Sequence, residues 1–296
     1  MPNWNTIGFQ KQKELFSLRG DTLPVGTHLF YGQEGVGKMT FALDLAEQLT
    51  GQDYNKDQAE LNQNLLVIDS GGSKSGQTVS IDDVRKINRF LSFAPIGSKV
   101  KVVIINEAHS MQEPAQNALL KIIEEPPSFA LIILVSYKHD SILPTILSRC
   151  RKVYFPPHDE KTLKKIISKS GAVLNDEQID FLISFSNGKS GLILNIINNQ
   201  SFKEIKKIVK EFYDMDNMTM GQRIIFAAKL SGDEDGTIAR TAVLYWTLYL
   251  RSKLLQYNSD KVRIIPVLKN LLNLYYILSI PHFNHKLAIE NFVINL

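Results

Sequence analysis

Four short apolar runs punctuate the first half of the chain: His28–Tyr31, Leu65–Asp69, Lys101–Ile105 and Leu131–Val135. They are nearly continuous rather than alternating, which is the pattern of strands covered on both faces in a parallel sheet. The segments between them have helical spacing. In Thr40–Leu49, Phe41, Leu43, Leu45, Ala46 and Leu49 interleave with polar residues. Ile81–Leu91 begins after Ser80, a predicted N-cap, with Asp82 and Asp83 in its first turn. Pro114–Glu125 carries its proline early, where a helix tolerates it, and stops at Pro126-Pro127. Strand–helix alternation predicts an open parallel sheet with helices on both faces and a ligand site at the carboxyl ends of the strands.

The pattern changes at Pro156-Pro157. Beyond it no strand is predicted, and helical spacing recurs in Thr162–Ser170, Asp176–Ser186, Gly191–Asn198, Phe202–Tyr213, Gln222–Leu230, Thr237–Tyr257, Ile264–Ile280 and His285–Leu296. Gly51–Asn64, Gly71–Thr78 and Gly232–Gly236 read as loops. No internal repeat or low-complexity tract interrupts this order.

The 296 residues suit about two domains, and 44% hydrophobic residues with 22% charged exclude a disordered chain. No apolar stretch of about 18 residues is free of charge, so no membrane contact is expected. Met1–Arg19 holds no apolar signal core. One cysteine, Cys150, excludes an internal disulfide framework and a multi-cysteine zinc site, and points to the cytoplasm. Residues 1–155 carry 16 basic and 16 acidic residues, and residues 156–296 carry 18 and 14. The neutral first half gives no global sign of an autonomous nucleic-acid binder.

Gly32-Gln-Glu-Gly35-Val-Gly37-Lys38 follows a predicted strand and opens a predicted helix. That context fits a G-x-x-x-x-G-K phosphate loop, in which backbone amides and the helix N-terminus cradle phosphate oxygens and Lys38 reaches the terminal ones. The next residue should offer a hydroxyl to magnesium, but it is Met39, whose thioether is a poor ligand for a hard cation. Thr40 stands about 100° further round the helix and does not simply replace it. The competing reading is a glycine-rich turn with an unused lysine. Lys101–Ile105 then ends in Asn106-Glu107, where such proteins place Asp-Glu. The amide keeps hydrogen bonding but lacks the charge that helps hold the cation, while Glu107 remains to orient a water. Two departures in one coordination shell argue against efficient hydrolysis.

Two further blocks are more distinctive: Glu107 through Asn117-Ala-Leu-Leu-Lys121-Ile-Ile-Glu124-Glu125-Pro126-Pro127, and Leu143-Pro-Thr-Ile-Leu-Ser148-Arg149-Cys150. They closely resemble bacterial clamp-loader subunits of DNA polymerase III, of the AAA+ type. Ile7-Gly8-Phe9-Gln10, Ile81–Arg85 and Asn284–Glu290 extend the resemblance along the chain. It implies an α/β P-loop domain over 1–156, a small helical lid over 157–205 and an all-α collar over 206–296 through which five subunits assemble.

Within this family the motor subunits carry complete phosphate-loop and Asp-Glu elements, and the delta-prime type often carries degraded ones, as Met39 and Asn106 suggest. In Gly188-Lys-Ser-Gly191-Leu192, Leu192 stands where motor subunits place a basic nucleotide sensor. The four-cysteine zinc module of many members is missing from Gly51–Asn64, so no zinc is expected. By resemblance, Arg149 is a finger presented to a neighbouring subunit's ATP. The implied partners are motor and delta-type subunits in a hetero-pentamer, and through them a sliding clamp and primer–template DNA. The chain's own cofactors are expected to be ATP at most, with magnesium weak or absent. The alternative is an active, gamma/tau-like ATPase motor. A small-molecule P-loop kinase accounts for Lys38 but not for the two blocks or the helical second half.

The candidate site residues are therefore Arg149 and Glu107 for catalysis, and Gly32, Gly35, Gly37, Lys38, Met39, Thr40, Asn106 and Ser136 for the nucleotide. Ser136 follows the fourth apolar run and reads either as a phosphate or water ligand or as a strand-end cap. Cys150 reads as a small hydrophobe, His109 as a packing residue, Tyr245, Trp246 and Tyr249 as core or interface, and Lys203, Lys206, Lys207 and Lys210 as a solvated helix face.

Overall fold

The computed structural model describes residues 4–17, 24–51, 62–69, 78–232, 236–256, 261–280 and 283–296. Most of the loops expected over Gly51–Asn64, Gly71–Thr78 and Gly232–Gly236 lie outside the described residues, as does Tyr257. The chain divides into two compact units. One holds 1–169 with 188–191, the other 170–187 with 192–296.

In the first unit, α1 (Gln10–Phe16) precedes β1 (Gly26–Tyr31), α2 (Lys38–Thr50), β2 (Leu65–Ile68), α3 (Ile81–Leu91) and β3 (Lys101–Ile105). Next come α4 (Glu113–Glu124), β4 (Ala130–Ser136), α5 (Pro144–Leu147), β5 (Arg151–Tyr154) and α6 (Glu160–Lys169). The strands form one parallel sheet in the order β2-β3-β4-β1-β5. Every residue of β3 and β4 is buried.

The reason is visible in the two cores. Leu29, Val103, Ile105, Ile132 and Leu134 face one, with α3 and α4 residues such as Val84, Ile87, Leu119 and Ile123. Phe30, Val102, Ile104, Leu131, Ile133 and Val135 face the other, with Phe41 and Leu45 of α2. Strand side chains alternate between faces, so a strand covered on both sides must be apolar throughout.

Local signals hold where they rest on local bonds. Ser80 caps α3 as expected, and the structure adds a reciprocal box with Asp83. Three elements were not expected: β5, α1 and the short helix α5. In β5 only Val153 is buried, because β5 is an edge strand paired on one side with β1 and otherwise carries Arg151, Lys152 and Tyr154. Helix α1 buries only Gln12 and Phe16 and lacks a repeating apolar stripe.

The second unit is helical among its described residues. It contains α7 (Asp176–Ser186), most of α8 (Ser190–Asn198), α9 (Phe202–Asp214), α10 (Met220–Leu230), α11 (Thr237–Gln256), α12 (Lys261–Ile277) and α13 (His285–Ile294). Trp246 lies at its centre, 1% exposed, with its ring stacked on Phe212 at 5.1 Å and Phe292 at 6.5 Å. Its indole N–H donates to the Ile208 carbonyl at 2.9 Å. Tyr249 packs against this core, and Tyr245 meets Phe185. Helix α12 ends at Ile277, three residues before the expected Ile280, with Ser279 and Ile280 turning through bonds to Tyr276 and Ile277.

Candidate nucleotide site and the Arg149 turn

The site lies at the carboxyl ends of three adjacent strands, β3, β4 and β1. The loop 32–37 joins β1 to α2, and its glycines have conformational work to do. Gly32 has φ 144°, and a Cβ there would fall 2.2 Å from the Phe155 carbonyl oxygen. Gly37 caps α2 at φ 104°. The loop is fastened from outside. Gly191 N–H donates to Gly35 O at 2.7 Å, and Ser190 Oγ donates to Val36 O at 3.1 Å. His158 Nε2 lies 2.9 Å from the same Val36 carbonyl.

A cleft of about 220 Å³ opens above the loop. It brings together Gly35, Gly37, Lys38, Met39, Thr40, Asn106, Glu107 and Ser136 of the expected set, and adds Glu34, Tyr137 and Gly191. The start of the helix whose sensor position holds Leu192 thus meets the phosphate loop through Ser190 and Gly191. Lys38 is buried, and its ammonium donates to Gly32 O at 2.8 Å and Gln33 O at 2.6 Å. Burial pulls its pKa from 10.5 to about 8; the Glu34 carboxylate opposes the fall and Lys189 adds to it. A phosphate entering the cleft has to replace two carbonyl bonds of an ammonium already flanked by one carboxylate.

The divalent-ion side differs from a working metal site. Met39 is half-buried and packs on the Phe41 core. Asn106 gives its amide N–H to the Asp69 carboxylate at 3.2 Å, so that amide is engaged with the end of β2. Glu107 follows at φ 49°, a left-handed conformation unusual outside glycine. Ser136 is 1% exposed, and its hydroxyl accepts the Lys138 N–H at 3.1 Å. His109 stands edge-on to Tyr137 at 4.2 Å, and burial lowers its pKa, with Glu107 opposing. One apolar side chain and one committed amide fit magnesium poorly. Among the described residues no group of three His, Cys, Asp or Glu could hold a metal ion, and no helix is long and apolar enough to cross a membrane.

Arg149 is not among the lining residues of this cleft. It follows α5, where its N–H donates to Ile146 O at 3.0 Å and fixes the turn. Its side chain is 42% exposed and pairs with Glu124 at 3.0 Å. Beside it Cys150 is packed on the first core, and burial pushes its thiol pKa up to about 11, which makes it unreactive at neutral pH. Sequence reading missed Glu34, Asp69 and Lys189. A carboxylate inside the glycine loop was a visible signal for Glu34; the other two are brought in only by folding.

Residues 17–159 match a family described as "DNA polymerase III, delta subunit". Replication factor C small subunit 1 of Pyrobaculum arsenaticum is 32% identical over 187 residues, covering 61% of this chain and 52% of that protein. DNA polymerase III subunit gamma/tau of Mycoplasma pneumoniae is 30% identical over 224 residues, covering 69% of this chain and 32% of that protein. The chain thus spans about half or less of the length of these relatives. A DNA polymerase III gamma subunit-related protein of Thermotoga maritima has the same fold, with a TM-score of 0.56 at 18% identity, over 90% of this chain and 93% of that one. The family match over residues 17–159 and these relatives support a clamp-loader subunit of the AAA+ type, and a P-loop on a five-stranded parallel sheet is the fold that goes with it.

Proposed function

We propose that this chain is a delta-prime-like subunit of a DNA polymerase III clamp loader, hydrolytically weak itself, that completes a neighbouring motor subunit's ATP site with Arg149. The observation that carries the reading is a contrast between two places in one unit. The chain's own cleft presents Met39 and an engaged Asn106 where a metal shell belongs. The Arg149 guanidinium is half-exposed on a turn whose backbone is fixed. A guanidinium stabilises charge developing on a transferred phosphoryl group. It can serve another subunit's nucleotide whether or not its own chain binds one.

In this reading residues 1–156 form the P-loop domain, 157–205 a lid and 206–296 the collar that assembles a hetero-pentamer with motor and delta-type subunits. The complex opens a sliding clamp and places it on primer–template DNA in the cytoplasm. Glu107 is a residual catalytic group, ATP binds weakly if at all, magnesium is poorly held, and zinc has no role.

The test is Arg149→Ala in the complex reconstituted with the motor subunit. Assembly should persist, and DNA-stimulated ATP turnover should fall by at least about tenfold; unchanged turnover removes the finger role. The retained Lys38 and Glu107 support a second reading, a gamma/tau-like motor. It requires ATP turnover by the isolated chain that Lys38→Ala abolishes.

A further inference from the structure

The geometry points to Glu124 as the residue that positions the Arg149 guanidinium, an inference resting on the reading that Arg149 faces a neighbour's nucleotide. Both side chains rise from backbone that cannot shift easily. Helix α4 ends at Glu124, and the two residues before it, Ile122 and Ile123, are buried in the core. The chain then turns away through Glu125 and Pro126-Pro127. On the other side, Ile146 is fully buried, and Ser148 N–H donates to Pro144 O at 2.9 Å.

Between these anchors the guanidinium is held from two directions. Nη2 lies 3.0 Å from Glu124 Oε1, while Nη1 donates to Thr145 O at 3.1 Å and to Ser148 Oγ at 3.4 Å. An arginine free to sample its rotamers would lose that freedom when a partner's phosphate arrives. One already held in a single pose loses less, which is where preorganisation gains rate. The carboxylate is 49% exposed, so the pair is weak enough for a multiply charged phosphate to compete with it. Glu124 therefore sets the direction of the guanidinium without locking it away. It touches no reacting atom and acts through Arg149.

The test is a double-mutant cycle in the reconstituted complex, with assembly followed by size-exclusion chromatography. Glu124→Ala should lower kcat for ATP about threefold to fivefold with KM unchanged. Glu124→Gln keeps the shape and an acceptor, and should recover part of the loss. In an Arg149→Ala background, Glu124→Ala should cost nothing further, because the effect passes through the arginine. An equal drop in that background, a rise in kcat, or no change in the single variant overturns the proposal. If Arg149→Ala alone leaves turnover intact, the finger reading itself has failed, and that outcome is distinct.

Discussion

Replacing Lys38 by Met tests the electrostatics of the phosphate loop directly. Lys38 is 6% exposed, and burial lowers its pKa from 10.5 to about 8. Between those values the unfolded chain binds a proton that the folded chain has released, so stability rises with pH there. The favourable contribution is complete above about pH 10.5 and is lost as pH falls through about 8. The difference of about 2.5 units corresponds to about 3 kcal/mol as an upper limit, and to about 1–2 kcal/mol once water at the cleft mouth screens the charge.

Lys38→Met removes this titration but also leaves the carbonyls of Gly32 and Gln33 without their donor, at a cost of about 1–2 kcal/mol that does not depend on pH. The informative quantity is therefore the difference in unfolding free energy between wild type and Lys38→Met, followed by urea denaturation from pH 7 to pH 10. Other lysines and the tyrosines titrate in both proteins and cancel. Wild type should gain about 1–2 kcal/mol on the variant across this range. A difference that stays flat refutes the claim that the charged ammonium is held at a cost.

Two further perturbations read the scaffold of each unit. Gly32→Ala puts a methyl 2.2 Å from the Phe155 carbonyl oxygen, on backbone just past β5 that is fixed by the Phe155 N–H bond to Tyr31 O; about 2–4 kcal/mol should be lost, seen as a lower urea midpoint at constant m-value, and a loss below about 1 kcal/mol would mean that the loop moves freely. Trp246→Ala removes the ring stacked on Phe212 and Phe292 and its bond to Ile208, and should cost about 3–5 kcal/mol by chemical denaturation, whereas Trp246→Phe should recover more than half.

The sequence alone determined what depends on neighbours along the chain. Continuous apolar runs gave the buried strands β1 to β4, because a strand covered on both faces cannot alternate. Ser80 and Pro114 marked helix starts, because a cap is satisfied within one turn and a helix tolerates proline in its first turn. The glycine spacing before Lys38 marked the loop that joins β1 to α2, and Met39 with Asn106 is what suggested a weak metal shell there.

Tertiary structure decided the rest. Edge strand β5 is defined by its partner β1, not by its own charged residues. Asp69 reaches Asn106 from 37 residues away, and Glu124 pairs with Arg149 although all of β4 separates them along the chain. Ser190 and Gly191 close on a loop more than 150 residues earlier in the chain. Long-range pairs of this kind leave no period or spacing in a sequence, because the backbone between them passes through the core and only packing sets where it returns.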